Sequence, residues 1–168
     1  KKLQKVEHDL EHLAFLAKQF RGKIGCLLYQ LPPSLTKDIE LLTSFLKVLP
    51  AGFRHVIEFR DQSWYSPDVY DLLSRYQVTL CIVSSGRLQP EIVVTFNLAY
   101  FRFHGLTGGY RYRYSDEELK RWAEIITPLK VEEAYIYFNN DYRAQAIFNA
   151  RKLKELLAAP PEEESPAL

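Results

Sequence analysis

Five short runs of apolar residues recur along the chain, at 26–31, 55–60, 79–83, 100–104 and 134–139. Each is rich in β-branched or aromatic side chains and too short for a helix, the mark of a buried strand. Between them the apolar positions change period. Val69, Leu72, Leu73 and Tyr76 fall at i, i+3, i+4 and i+7, as do Leu119, Trp122, Ala123 and Ile126. Either set places one apolar stripe along a helix. Ile39, Leu42, Phe45, Leu46 and Leu49 mark another helix, ended by Pro50 and Gly52. Leu3, Val6, Leu10, Leu13 and Ala17 mark the first helix, and Ala146, Ala150, Leu153 and Leu157 the last. Start signals agree: Ser66-Pro67 reads as an N-cap followed by proline at the first helical position, and Ser115 with Glu118 as a capping box. Only the connection after Ser85 is irregular, because Gly86 and Pro90 discourage a long helix. Strand and helix in alternation predict right-handed βαβ units, hence an α/β fold with a parallel sheet.

The strands are not uniformly apolar. Side chains alternate faces along a strand, so Leu28 shares a face with Gln30, Glu58 with Arg60, Arg102 with His104, and Tyr137 with Asn139. One face of each strand becomes polar towards its C-terminal end. In an open doubly wound sheet helices cover both faces, and repeated charges there are costly. In a barrel the polar face is the lumen, and catalytic groups sit at its C-terminal mouth. The pattern therefore predicts a TIM-barrel-type architecture, here a partial barrel of five strands. The same charges also fit a structural ion-pair network in which Glu58 and Arg60 pair with Arg102 or each other.

Composition narrows the partners. The 168 residues carry 22 Lys+Arg against 21 Asp+Glu, a net charge of +1, which argues against a general polyanion binder. No apolar run reaches the roughly 18 residues of a membrane span, and no signal peptide precedes the first helix, so a cytoplasmic protein without a membrane partner is expected. Cys26 and Cys81 are too few for a disulfide framework or a four-ligand zinc site and read as small buried hydrophobes. The chain opens on Lys1 and contains no methionine, the expectation for a fragment, a processed product or a trimmed chain. No glycine-rich phosphate fingerprint occurs, which weakens a nucleotide-binding Rossmann reading.

The candidate chemistry lies at the mouth. Glu58 is the acid/base candidate and His104 a second proton-transfer or orienting group. Arg60 and Arg102 are anion clamps, with Gln30, Tyr137 and Asn139 orienting a substrate. Trp64 is either a core anchor or one wall of the pocket. A metal site would need two or three more ligands than the chain offers near Glu58 and His104, so no cofactor is expected, with a metal kept as the lesser alternative. The segment from Gly108 to Tyr114 alternates Tyr with Arg111 and Arg113. It reads as a nucleic-acid contact or as a solvated loop packed on the next helix.

These residues carry a resemblance. Residues 28–34, 58–64, 100–105, 114–119 and 137–141 occur in the order of five motifs of the domain of unknown function 72 family, also called YecE-like proteins. The chain is similar to that family as far as about Leu157. The resemblance implies a TIM barrel without an assigned biochemical role, whose likeness to endonuclease-like metal phosphodiesterases is one of fold. The family's Gly-Thr-Ser-Gly-Trp type first strand and Glu-Ile-Asn type second strand do not occur here. The resemblance thus maps the chain onto the fourth through eighth strands. Where family members tend to have a glycine after the last motif, this chain has Tyr142-Arg143-Ala144, and a loop of different shape is expected.

The resulting expectation is a partial barrel domain over 1–157 followed by a disordered tail over 158–168. It binds an anionic small molecule or nucleic acid at the mouth, with phosphoester or nucleic-acid hydrolysis as the reaction class. A non-catalytic nucleic-acid or protein interaction module and an inactive barrel fragment stand beside it. Five strands do not close a barrel, so the first and last strands are expected to keep open edges, with Leu28, Val56 and Tyr100 exposed in the opened lumen, and the chain to self-associate, collapse across the gap or be poorly stable.

Overall fold

A computed structural model describes residues 3–20, 22–88 and 91–158. Its elements run α1 (Glu7–Gln19), β1 (Leu27–Gln30), α2 (Ile39–Lys47), β2 (His55–Glu58), α3 (Pro67–Arg75), β3 (Val78–Ser85), β4 (Leu98–Gly105), α4 (Asp116–Ile126), β5 (Glu133–Phe138) and α5 (Gln145–Ala158). The strands form one parallel sheet in the order β1-β2-β3-β4-β5. The sheet is not closed, and β1 and β5 are its edges. Sequential neighbours joined by helices give the α/β, TIM-barrel-type course expected from the alternation. Between β3 and β4 no helix forms among the described residues. Ala158 ends α5, and the remainder of the expected tail lies outside the described residues.

Local chemistry explains the helix starts. Asp38 caps α2 by accepting from the Leu41 N–H at 2.9 Å. Ser115 caps α4 in a full capping box, accepting from the Glu118 N–H while Glu118 accepts from the Ser115 N–H. Ser66 stands at the N-cap of α3 with Pro67 in the first turn, but its side chain makes no cap bond. Its Oγ instead accepts from Lys37 Nζ at 3.3 Å.

The two sheet faces differ as the alternation requires. On the outer face, Ile57, Phe59 and Leu80 pack with Leu42, Phe45, Leu46, Leu72 and Leu73 of α2 and α3. Further along, Ile82, Phe101 and Phe103 pack with Leu119, Ala123 and Ile126 of α4 and Leu153 of α5. Among the described residues no helix packs on the inner face. Its apolar part is made by strand residues alone: Val56, Cys81, Val83, Leu98 and Tyr100, with Cys26, Leu28 and Tyr135 against them. This corrects one expectation. Val56 and Tyr100 are buried and only Leu28 is partly exposed, because neighbouring inner-face side chains cover one another without a far wall.

Candidate functional site

The inner face turns polar at Glu58, the last residue of β2. Its side chain is 1% exposed, and its two oxygens take four neighbours. Arg102 Nη1 donates to Oε2 at 2.6 Å, Gln30 Nε2 donates to Oε2 at 3.0 Å, and Arg60 Nε donates to Oε1 at 3.0 Å. His104 Nε2 lies 3.8 Å from Oε1. The register creates this hub. Gln30 stands beside Glu58 across the β1–β2 ladder, while Arg102 starts from β4 and reaches over β3.

Two opposed effects set the charge of Glu58. Burial pushes its carboxyl up, whereas the bonds from Arg102, Gln30 and Arg60 together hold it below the ordinary carboxylate value. It is an anion at neutral pH. His104 moves down as well, chiefly through burial and then through the Arg102 charge, against the weaker pull of Glu58. Its ring is therefore neutral at pH 7. The His104 Nε2 atom is shielded from solvent and has no hydrogen-bond partner.

Above the hub opens a cavity of about 510 Å³. Glu58, Arg60 and His104 form part of its floor, and the loops after β3 and β4 wall it with Ser85, Gly86, Arg87, Leu88, Leu106, Gly108 and Gly109. Arg60, Arg87 and the Arg102 held behind Glu58 outnumber the one carboxylate, so the cavity is electropositive. The loops meet closely. A Cβ at Gly86 would overlap the Leu106 carbonyl oxygen, and one at Gly105, where φ is +85°, would overlap Gly109 and Tyr112. Both positions need glycine.

Glu58, Arg60, Arg102, His104 and Gln30 are brought together. Tyr137 lies beside Arg102 in the β4–β5 register and packs on Tyr100 at 5.1 Å, on the same face but away from the cavity lining. Asn139 follows β5 and donates its N–H to the Phe103 carbonyl at 2.8 Å. Its buried Oδ1 has no hydrogen-bond partner, and the residue does not line the cavity. Trp64 is not a pocket wall. It is fully buried, stacked on Phe59 at 4.7 Å, and its Nε1 donates to the Leu35 carbonyl at 2.7 Å. The alternation sends Phe59 to the outer face, and Trp64 follows it there. Arg111 and Arg113 are exposed on the loop beyond Gly109.

Three contributors escaped the sequence reading. Arg87 lines the cavity from the irregular β3–β4 connection, where no periodicity points to it. Asn140 and Asn149 are buried. Asn140 Nδ2 donates to the Tyr112 carbonyl and to Asn149 Oδ1, and Asn149 Nδ2 donates to the Tyr114 carbonyl. They clasp the mouth loop to α5. Asn149 in the apolar stripe of α5 was the visible signal. Among the described residues no group of three His, Cys, Asp or Glu side chains could hold a metal, and the guanidiniums around Glu58 would repel a cation. Burial pushes the Cys26 and Cys81 thiols up, so both stay protonated. No helix among the described residues is long and apolar enough to cross a membrane.

The model of the family described as protein of unknown function DUF72 matches residues 1–167. The UPF0759 protein YunF of Bacillus subtilis is 25% identical over 165 residues, covering 81% of this chain and 58% of its own length. A crystal structure of a DUF72 family protein from Thermotoga maritima superposes with a TM-score of 0.85 at 29% identity, covering 92% of this chain and 66% of that one. Another from Enterococcus faecalis gives 0.78 at 21% identity, covering all of this chain and 70% of that one. The chain thus spans less than two thirds of the Bacillus and Thermotoga relatives.

Proposed function

The chain belongs to the DUF72 family of proteins of unknown function, and from that premise we propose that its barrel mouth binds a phosphate-bearing anion for phosphoester hydrolysis. The carrying observation is the buried Glu58 hub, which fixes Arg60 and Arg102 beneath an electropositive cavity. Glu58 serves here as a positioning residue. An ionised carboxylate held low by two guanidiniums is a poor proton acceptor near neutral pH. Arg60 is 42% exposed and keeps N–H donors for an incoming phosphoryl oxygen. Arg87 adds charge from the opposite loop. His104 is neutral and lines the cavity, which suits its imidazole to move a proton to or from a reacting oxygen. Its approach to the cavity is what distinguishes a hydrolytic mouth from a passive one.

Isothermal titration of the full chain with inorganic phosphate, and hydrolysis of bis-p-nitrophenyl phosphate, test this reading. Arg60→Ala is expected to weaken phosphate binding at least tenfold, since a hydrogen bond to a charged group contributes about 1.5–3 kcal/mol. His104→Gln is expected to lower turnover about 10²–10⁴-fold with binding retained. Absence of phosphate binding, or equal binding by Arg60→Ala, overturns the anion site. Unchanged turnover in His104→Gln removes its proton-transfer role.

A further inference from the structure

We propose that the rim of the mouth is a stacking platform for single-stranded nucleic acid, built from Tyr110, Arg111, Tyr142 and Arg143. It rests on the mouth reading above for the direction in which the strand runs. The Arg111 guanidinium carbon lies 5.6 Å from the Tyr110 ring centroid and 5.4 Å from that of Tyr142, and Arg143 lies 5.3 Å from Tyr142. Ring and guanidinium therefore alternate along a four-membered ladder drawn from the loops after β4 and β5. Tyr110 is 57% exposed and Tyr142 42%, and neither belongs to a hydrophobic cluster of the fold.

The Tyr-Arg alternation of 110–114 is not itself the platform. Tyr114 is buried, and its OH accepts from the Gly105 N–H at 2.9 Å. Tyr112 donates its OH to Glu118 at 2.6 Å. Tyr110, Arg111 and Arg113 are exposed, and Tyr142 comes from a different loop to meet Arg111 and complete the stack. The clasp of Asn140 on the Tyr112 carbonyl holds the two loops together. Arg143 stands at φ 53°, in the left-handed region that disfavours a side chain, and still lies over the Tyr142 ring.

Exposed tyrosine rings and guanidinium planes suit unpaired bases, and guanidinium edges suit the phosphates between them. Gly108 and Gly109, which line the cavity, directly precede Tyr110. A strand laid on the rim thus leads a phosphodiester towards Arg60 and His104. The whole chain's net charge of only +1 fits a short single-stranded segment held by stacking better than a long duplex track.

Fluorescence anisotropy of fluorescein-labelled 12-nucleotide oligo-dT and oligo-U, titrated with the full chain across a NaCl series, tests the platform. Binding to either oligonucleotide is expected, with a log–log salt slope of about −2 for roughly three phosphates on a single strand. The double variant Tyr110→Ala/Tyr142→Ala is expected to bind at least tenfold more weakly. Tyr110→Phe/Tyr142→Phe, which keeps both ring faces, is expected to bind like the parent. Phosphate titration of the alanine variant should match the parent, since the rim does not hold the pocket anion, and this also shows that the variant folds. No binding to either oligonucleotide, or equal binding by the alanine variant, overturns the platform. Tyrosine-dependent oligonucleotide binding without phosphate binding supports the platform and removes the mouth reading alone.

Discussion

At Glu58 burial and pairing pull in opposite directions, and pairing wins because three donors converge on a side chain that is 1% exposed. Removing that charge strands Arg102, itself largely buried. Glu58→Gln is therefore expected to cost about 3 kcal/mol of stability, as for breaking a buried pair. Arg60→Ala, at the 42% exposed end, is expected to cost at most about 1 kcal/mol. Urea midpoints of the two variants check the contrast, and equal costs would refute it. The same groups set the response to pH. His55 is neutral and buried: its Nε2–H donates to the Pro50 carbonyl at 2.9 Å and its Nδ1 accepts from the Tyr29 hydroxyl at 3.1 Å. Burial lowers its affinity for a proton, as it does for His104. The unfolded chain therefore takes up these protons first as pH falls below about 6.5, and stability declines from there. Glu58, also lowered, contributes stability that is complete above the unfolded carboxyl value of about 4.3 and lost as pH falls through its folded value. Urea midpoints are expected to drop in two stages, the first as pH falls below about 6.5 and the second as it falls below about 4.3. A flat profile from pH 7 to pH 5 would show that the histidines carry no such linkage.

Among the elements, the passage from β5 to α5 is one place where backbone and sequence disagree. Arg143 and Ala144 have φ of 53° and 60°, values that favour glycine. Ala144 is exposed, so the conformation is not compensated by packing of its methyl group. Ala144→Gly is expected to stabilise the chain by about 0.5–1 kcal/mol, the relief of left-handed strain less the added freedom of the unfolded chain. Chemical denaturation measures this directly, and a destabilised variant would mean that the strain is absent. The element starts behave differently. The capping box at Ser115 forms as its spacing requires, while Ser66 keeps the N-cap position but hands its hydroxyl to Lys37. Local spacing located both helices. A tertiary neighbour decided what one cap residue bonds.

For the whole molecule, an open parallel sheet leaves the outer backbone edges of β1 and β5 without a strand partner among the described residues. Near the β5 edge, Tyr137, Ile147 and Phe148 are exposed, as are Phe15, Leu16 and Phe20 around α1. Unpaired edges beside exposed apolar groups template association. The burial of Val56 and Tyr100 makes collapse of the inner face unnecessary, so association through edges and helix surfaces is the expected outcome. Sedimentation velocity from about 1 to 100 µM should show a weight-average mass that rises with concentration. A monomer throughout that range would refute the edge argument.

Periodicity by itself determined the order of strands and helices, the parallel α/β class and the inward face of Glu58, Arg102 and His104. These follow from side-chain direction along a strand and from the pitch of a helix, which are properties of the local backbone. Only the tertiary structure decided which charges meet. The Glu58–Arg102 bond joins residues 44 apart in the chain, across a strand that no pattern within either segment specifies. It likewise drew Arg87 into the cavity wall from an irregular loop, sent Trp64 to the outer core beside Phe59, and placed Tyr142 against Arg111. Such positions depend on how loops from separate βα units pack over the sheet. That packing is a long-range balance of close backbone approach, burial and charge, and neighbouring residues along the chain do not encode it.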